Sequence, residues 1–286
     1  MIKKVSTFIA FAAVLFSIQN ANALISCTVS SNGFTSGYVS SPVNSASFII
    51  TQAGFDVTCT RGTTLDLTTT TYSIQADGGL NPSGGFNVAK SGANSINYNL
   101  YTNSVCGTKW QGNVNTIPFP PQTITMSGLT PTTVTQNFWA CIPSGQILPA
   151  SGTYTDIVTV TPTYDLLVLG GAATFPISIV VPAVCSITSA PGAVIFVYTA
   201  FSASAVTANT TYGITCSNSL PYSMSVSPAS SVVAGINYSL SLSSSAIGNG
   251  LQQIYTISGN APSGQAGTCA TSTCSASQIT TLTITY

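Results

Sequence analysis

The most regular alternation of apolar and polar side chains in this sequence lies between residues 172 and 183. Every second position there is large and apolar: Phe175, Ile177, Ile179 and Val181. This is the period of a strand that turns alternate side chains towards a core. A Gly-Gly pair at 170–171 precedes the run, and Cys185 follows it. We predict a linker of residues 165–184 whose donor-like strand closes one domain and leads into the next.

Shorter alternating runs, separated by Gly, Pro, Asn and Ser, recur along the rest of the chain. Examples are residues 47–51, 55–59, 155–161, 213–216 and 280–286. No long stretch has the 3.6-residue period of a helix. Many short strands at this spacing predict an all-β fold of sandwiches or barrels. A membrane helix is an alternative for the uncharged stretch 166–184. Its glycines and prolines and the lack of flanking Lys or Arg argue against such a helix.

Two short motifs occur twice, at similar places in two halves of the chain. Ile96-Asn97-Tyr98-Asn99-Leu100 recurs as Ile236-Asn237-Tyr238-Ser239-Leu240. Pro143-Ser144-Gly145-Gln146 recurs as Pro262-Ser263-Gly264-Gln265. We therefore predict two copies of one domain, over residues 24–164 and 185–286.

Residues 1–23 have the pattern of a secretory signal peptide. Lys3 and Lys4 precede a short apolar run, and Ala21-Asn22-Ala23 is a small-residue cleavage site. The apolar run is shorter than the roughly 20 residues that a membrane span needs. We expect the mature chain to start at Leu24, in an oxidising compartment.

The cysteines of a secreted chain are expected to form disulfides. They fall into two sets of four: Cys27, Cys59, Cys106, Cys141, and Cys185, Cys216, Cys269, Cys274. The first spacing is nearly equal in the two sets, so we expect Cys27–Cys59 and Cys185–Cys216 as equivalent bridges. Cys106–Cys141 and Cys269–Cys274 are the remaining expected pairs. A zinc site is the alternative, which the absence of His disfavours.

Charge is scarce, and its scarcity excludes several kinds of function. The chain has five basic and five acidic residues and no His, and none of the charged residues follows Asp165. Such a chain lacks the basic surface that binds nucleic acid. With neither His nor Glu to act as a base, we expect no catalytic residues, no enzyme activity, no metal and no cofactor.

Several segments resemble the spore coat protein U domain. They are Gly152 to Thr161, Ile96 to Tyr101, Trp110 and Ile142 to Gln146. This family includes subunits of archaic chaperone–usher pili. The resemblance implies immunoglobulin-like β-sandwiches that lack their final strand. It also implies a periplasmic chaperone, an outer-membrane usher and an adjacent pilin subunit as partners, with strand addition at an exposed sheet edge.

Shaft subunits of the family carry an N-terminal extension ahead of the first conserved cysteine. Only three residues, Leu24 to Ser26, would precede Cys27 here, too few for a donated strand. The resemblance therefore implies a tip adhesin, exported through the periplasm to the cell surface, that attaches cells to surfaces in biofilm formation. In it the first domain would be adhesive and the second pilin-like, without its final strand. The alternative is a minor structural pilin or coat subunit without an adhesive role.

Without charge, binding to an abiotic or host surface must rely on apolar side chains in loops. The proline-rich run at 117–121 predicts a stiff, exposed loop, and Ile147-Leu148 lie in a turn-like stretch. The candidate surface-binding residues are Ile117, Pro118, Phe119, Pro120, Ile147 and Leu148. For each of these loops, burial is the alternative.

Overall fold

The computed structural model describes residues 25–38, 48–110, 119–165 and 168–286. Within these ranges it contains strands, turns and loops and no helix, which confirms the predicted all-β class. None of the described residues forms a helix long and apolar enough to cross a membrane. The expected signal peptide lies outside the described residues. The described strands group around two separate cores.

Eleven strands enclose the larger core. They are β1 (Ile25–Ser30), β2 (Phe34–Gly37), β3 (Ile49–Arg61), β4 (Thr69–Ala76), β5 (Asn87–Ser91), β6 (Asn94–Tyr101), β7 (Phe119–Thr125), β8 (Thr132–Ile142), β9 (Gly152–Tyr164), β10 (Val168–Leu169) and β11 (Ala173–Val181). One layer runs β10-β1-β3-β8-β6, and the other runs β7-β4-β9-β11-β2. The pairing of β5 with β6 and with β9 joins the layers. We call this body the first domain.

Eight further strands form a smaller sandwich, the second domain. They are β12 (Cys185–Ser189), β13 (Val206–Cys216), β14 (Pro221–Ser227), β15 (Ser230–Val233), β16 (Ile236–Ser241), β17 (Ser245–Ile247), β18 (Gln252–Ala261) and β19 (Thr281–Thr285). The order is β12-β13-β18-β16-β15 in one sheet and β17-β14-β19 in the other.

An aromatic cluster fills the middle of the first domain. Its rings lie 5.3–6.4 Å apart between centroids and belong to Phe55, Trp110, Phe119, Phe138 and Phe175. The indole N–H of Trp110 donates to the Ile74 carbonyl at 2.9 Å, so its polar atom is satisfied although the ring is fully buried. Side chains from both layers and from the loop before β7 thus share one core.

The cysteines form four disulfides, Cys27–Cys59, Cys106–Cys141, Cys185–Cys216 and Cys269–Cys274, the same pairs as the sequence predicts. The first and third bridges link register partners of the first two antiparallel strands in each sandwich. The nearly equal spacing of these cysteines therefore reflects the same strand topology in the two domains.

Candidate functional site

The strand predicted at 172–183 is β11, and it lies inside the first domain of the same chain. It pairs antiparallel with β9 along all nine of its residues, from Ala173–Val160 to Val181–Gly152. On its other side it pairs in parallel with β2. Its four alternate apolar side chains are all at most 2% exposed: Phe175, Ile177, Ile179 and Val181. The last strand of this sandwich is thus supplied in cis.

Backbone contacts fix β11 against β2 and the turn that precedes it. The amide of Tyr38 donates to the carbonyl of Val180 at 2.8 Å. Gly33 has a φ of +71°, and a Cβ there would lie only 1.6 Å from the Pro176 carbonyl oxygen. Only glycine allows this approach, so the β1–β2 turn and β11 are matched in shape.

The repeated Pro-Ser-Gly-Gln motif forms the same clamp in both domains. In the first domain the Gln146 side chain accepts from the Asn97 amide at 2.8 Å and donates to the Asn97 carbonyl at 3.0 Å. In the second, Gln265 makes the same pair of bonds with Asn237, at 2.6 and 3.1 Å. The recurring motifs therefore mark equivalent positions in two copies of one fold.

The strand register extends this equivalence to the end of each domain. Ala76 pairs with Val160 between β4 and β9, and Val226 pairs with Leu282 between β14 and β19. The sequence Thr-Val-Thr-Pro-Thr-Tyr at 159–164 corresponds to Thr-Leu-Thr-Ile-Thr-Tyr at 281–286. β19 is thus the counterpart of the second half of β9.

Within residues 168–286, all of which are described, the second domain has no counterpart of β11. In this range β19 pairs with β14 alone, so its other edge is open. Residues 190–199, which take the place of β2 in the chain order, belong to no strand. Val194 and Phe196 from this stretch still pack against Gly259 of β18. The open strand position therefore lies beside β19, as β11 lies beside β9 in the first domain.

Apolar side chains around this open position are poorly covered. Leu282 and Ile284 of β19 are only half-buried, whereas Val160, the counterpart of Leu282, is fully buried. The core-facing side of β19 is thus less covered than the equivalent part of β9 in the first domain.

The two domains meet at the loop after β8, which contains two predicted surface-binding residues. The Leu148 amide donates to the Gly250 carbonyl at 3.2 Å, and the Leu148 carbonyl accepts from the Asn218 amide at 3.3 Å. Leu148 is buried, so its predicted exposure is wrong, because the loop docks on the second domain. Ile147 is exposed, but its side chain lies against Gly250 at this junction.

Of the proline-rich run at 117–121, the described residues 119–121 lie in the strand β7 rather than in a loop tip. Ile117 and Pro118 lie outside the described residues. Phe119 is only 6% exposed, so its predicted exposure is also wrong; its ring is 5.3 Å from that of Phe55 in the aromatic cluster. Pro120 is exposed and stands in β7, an edge strand that pairs only with β4.

Exposed leucines lie instead at the end of the first domain opposite the junction. The long strands β3 and β8 pair from Ile49–Ile142 near the junction to Cys59–Thr132 at the far end. A 13-residue strand such as β3 spans about 40 Å. The loops at the far end are residues 62–68 and 126–131, joined by a bond from the Met126 amide to the Thr68 carbonyl. They carry the exposed leucines Leu65, Leu67 and Leu129, which we call the distal leucines.

Buried polar contacts hold the first of these loops. The Arg61 guanidinium donates to the carbonyls of Thr64 and Asp66, at 2.6 and 2.7 Å from one nitrogen. The Asp66 carboxylate accepts from the Thr63 amide at 2.6 Å, a bond that lowers the pKa of Asp66. Leu65, at the tip, is 90% exposed. The loop contains neither proline nor aromatic residues, so its sequence carries no signal of an exposed binding surface.

The described residues bring together no group of three or more His, Cys, Asp or Glu that could hold a metal ion. Asp156, the most buried acid, is instead held by hydrogen bonds. Its carboxylate accepts from the Tyr98 hydroxyl at 2.7 Å and from the amides of Leu80 and Ile157, at 2.8 and 2.9 Å. Burial and this carboxylate raise the pKa of Tyr98. The arrangement fixes β9 against β6.

Residues 12–161 match the family described as the spore coat protein U domain. The chain belongs to this family. The match ends within β9 and so covers most of the first domain. A comparison with curated proteins found no match.

Two solved structures are similar to the chain at low sequence identity. The complex of the chaperone CsuC with the tip adhesion subunit CsuE, from archaic chaperone–usher Csu pili of Acinetobacter baumannii, matches at 17% identity. It covers 91% of this chain and 100% of that one, with a TM-score of 0.47. The CupB6 tip adhesin from Pseudomonas aeruginosa matches at 10% identity over 92% and 94% of the two chains, with a TM-score of 0.41.

Proposed function

We propose that this protein is a tip adhesin of an archaic chaperone–usher pilus. One observation carries the proposal: the first domain contains its own last strand, while the second leaves the equivalent position open. Such a chain accepts a strand at its second domain and needs none at its first. Membership of the spore coat protein U family supports the same assignment.

The open position calls for an extended, alternately apolar strand from another protein. By analogy with β11, four side chains would be buried, each contributing about 1.5–3 kcal/mol against roughly 1–2 kcal/mol of backbone ordering per residue. A periplasmic chaperone would fill the position first, and the adjacent pilin subunit would replace it at the outer-membrane usher. The finished subunit would lie at the pilus tip on the cell surface.

The equivalence of Tyr164 and Tyr286 gives a direct test of strand acceptance. A second copy of residues 165–183 is added after Tyr286, which reproduces in the second domain the connection from β9 to β11. We call this protein the extended chain. We expect it to be a soluble monomer without a chaperone, whereas the unmodified chain aggregates or is degraded.

The matched control carries the same addition with its copies of Phe175, Ile177 and Ile179 changed to Ser. This control should behave like the unmodified chain, because its added strand cannot fill the apolar groove. Equal solubility of the extended chain and the control would refute strand acceptance.

For attachment, we propose that the distal leucines contact hydrophobic surfaces such as plastics or waxy cuticles. They project about 40 Å from the junction with the second domain, and the charged residues of their loop, Arg61 and Asp66, are buried. Each leucine can contribute at most about 1.5–3 kcal/mol, and many pili per cell would multiply weak contacts.

Leu65→Ser with Leu129→Ser, in otherwise intact pili, should abolish adhesion to polystyrene while fibres still assemble. Leu80→Ser, at an exposed loop position near Asp156, is the matched control and should leave adhesion unchanged. Unchanged adhesion in the double variant would place the binding surface elsewhere. Immunogold labelling along the shaft, rather than at the tip, would favour a minor structural pilin without an adhesive role.

A further inference from the structure

The first half of β9 has a counterpart in the second domain that forms no strand. Asp156 stands three residues before Thr159, and Gln278 stands three residues before the equivalent Thr281. In the first domain this half of β9 pairs with β11, and Ile177 lies opposite Asp156. Residues 275–279 are all exposed and lie outside β19.

The first domain shows what this position does once the last strand is present. Asp156 is 2% exposed and accepts the hydrogen bond from Tyr98, which belongs to the Ile-Asn-Tyr motif on β6. The bond crosses the sandwich from β9 to β6. It therefore locks the edge to which β11 is attached.

In the second domain the equivalent residues, Tyr238 and Gln278, lie apart from each other. Tyr238 of the second Ile-Asn-Tyr motif is 9% exposed, and its ring lies 5.8 Å from that of Phe196, between centroids. The Gln278 side chain is exposed and donates to the carbonyl of its own neighbour, Ile279, at 3.0 Å. Cys274, four residues before Gln278, is the counterpart of Gly152 and is fixed by its bridge to Cys269.

We propose that strand acceptance extends β19 back to Ser275 and brings the Gln278 amide onto the Tyr238 hydroxyl, as the counterpart of the Asp156–Tyr98 bond. The inference rests on the proposed function and adds a residue that locks the accepted strand. The Cys269–Cys274 bridge anchors the segment at its start, so that only a few residues have to order.

The exchange of Asp for Gln fits a position that changes its surroundings. Moving an ionised carboxylate from water into a core costs far more than moving a neutral amide. Asp156 is covered by a strand of its own chain and makes three hydrogen bonds. Gln278 must remain in water until a partner arrives, and an uncharged side chain lowers the cost of its later burial.

Hydrogen exchange on the extended chain tests the proposal. The amides of residues 275–280 should be protected in the extended chain. In the unmodified chain without a partner, measured at a concentration too low for aggregation, the same amides should exchange at once. Gln278→Ala and Tyr238→Phe should each speed exchange of these amides by about two- to ten-fold, the effect of one lost hydrogen bond. The double variant should be no faster than the more affected single variant. Ser277→Ala, one residue away, is the control and should leave exchange unchanged.

The possible failures separate the two proposals. An extended chain that does not fold removes the proposed function together with this inference. A folded extended chain whose amides at 275–280 stay unprotected overturns the inference alone. Additive effects of Gln278→Ala and Tyr238→Phe would also overturn it, because they would mean that the two side chains do not interact.

Discussion

Replacement of Phe175 by Ala tests how far the first domain depends on the strand that follows it. The ring is fully buried and lies within 5.9–6.3 Å of the rings of Phe138, Phe55 and Trp110, between centroids. Loss of a buried Phe costs about 3–5 kcal/mol, a large part of the 5–15 kcal/mol that stabilises an ordinary domain. With a urea dependence of about 1–3 kcal/mol per molar, the unfolding midpoint should fall by one molar or more.

The assay can be confined to the first domain because both tryptophans, Trp110 and Trp139, lie there. Urea unfolding of the extended chain is followed by tryptophan fluorescence. Val180→Ala, on the exposed face of the same strand, is the matched control and should shift the midpoint little. If Phe175→Ala shifts the midpoint no more than Val180→Ala does, β11 is not an integral strand of this core.

Three further changes give distinct outcomes. Gly250→Ala should loosen the junction between the domains, because the added Cβ would lie 2.4 Å from the Leu148 carbonyl oxygen. Proteolysis between the domains should then be faster. Gly171→Ala, whose Cβ would meet no atom within 4 Å, is the control and should leave the proteolysis rate unchanged. Gln146→Ala should lower the free energy of unfolding by about 1–3 kcal/mol through its lost hydrogen bonds. The pKa of Asp66 is lowered on folding, so its ionised carboxylate stabilises the distal loop above about pH 4. This stabilisation is lost as the pH falls through the pKa that Asp66 has in the folded protein. Adhesion should therefore fall over the same pH range.

The parts of the fold that sequence predicts best are those encoded by local period and by repetition. The alternation at 175–181 predicts both the strand and its buried face, because a strand between two neighbours has only one way to place four large apolar residues inward. The twin Ile-Asn-Tyr and Pro-Ser-Gly-Gln motifs predict the duplication, because each pair forms the same side-chain clamp.

The loops could not be predicted in this way, since their exposure depends on distant parts of the chain. Prolines beside Phe119 suggested a stiff exposed tip, but an edge strand tolerates proline while its other side chains face the core. Leu148 is covered by a second domain whose docking no local pattern specifies. Leu65 is exposed because Arg61, just before the loop, holds the backbone from beneath, and a lone leucine between threonine and aspartate gives no such signal.

The placement of β11 also determines the order in which the chain can fold during synthesis. β2 is synthesised among the first strands, yet its partner β11 follows more than a hundred residues later, so the first core closes late. Contacts so distant in sequence make folding slow. All strands of the first domain nevertheless precede Cys216, the bridge partner of Cys185, along the chain. An N-terminal domain that is complete before the next begins keeps the two sets of cysteines apart in time as well as in space.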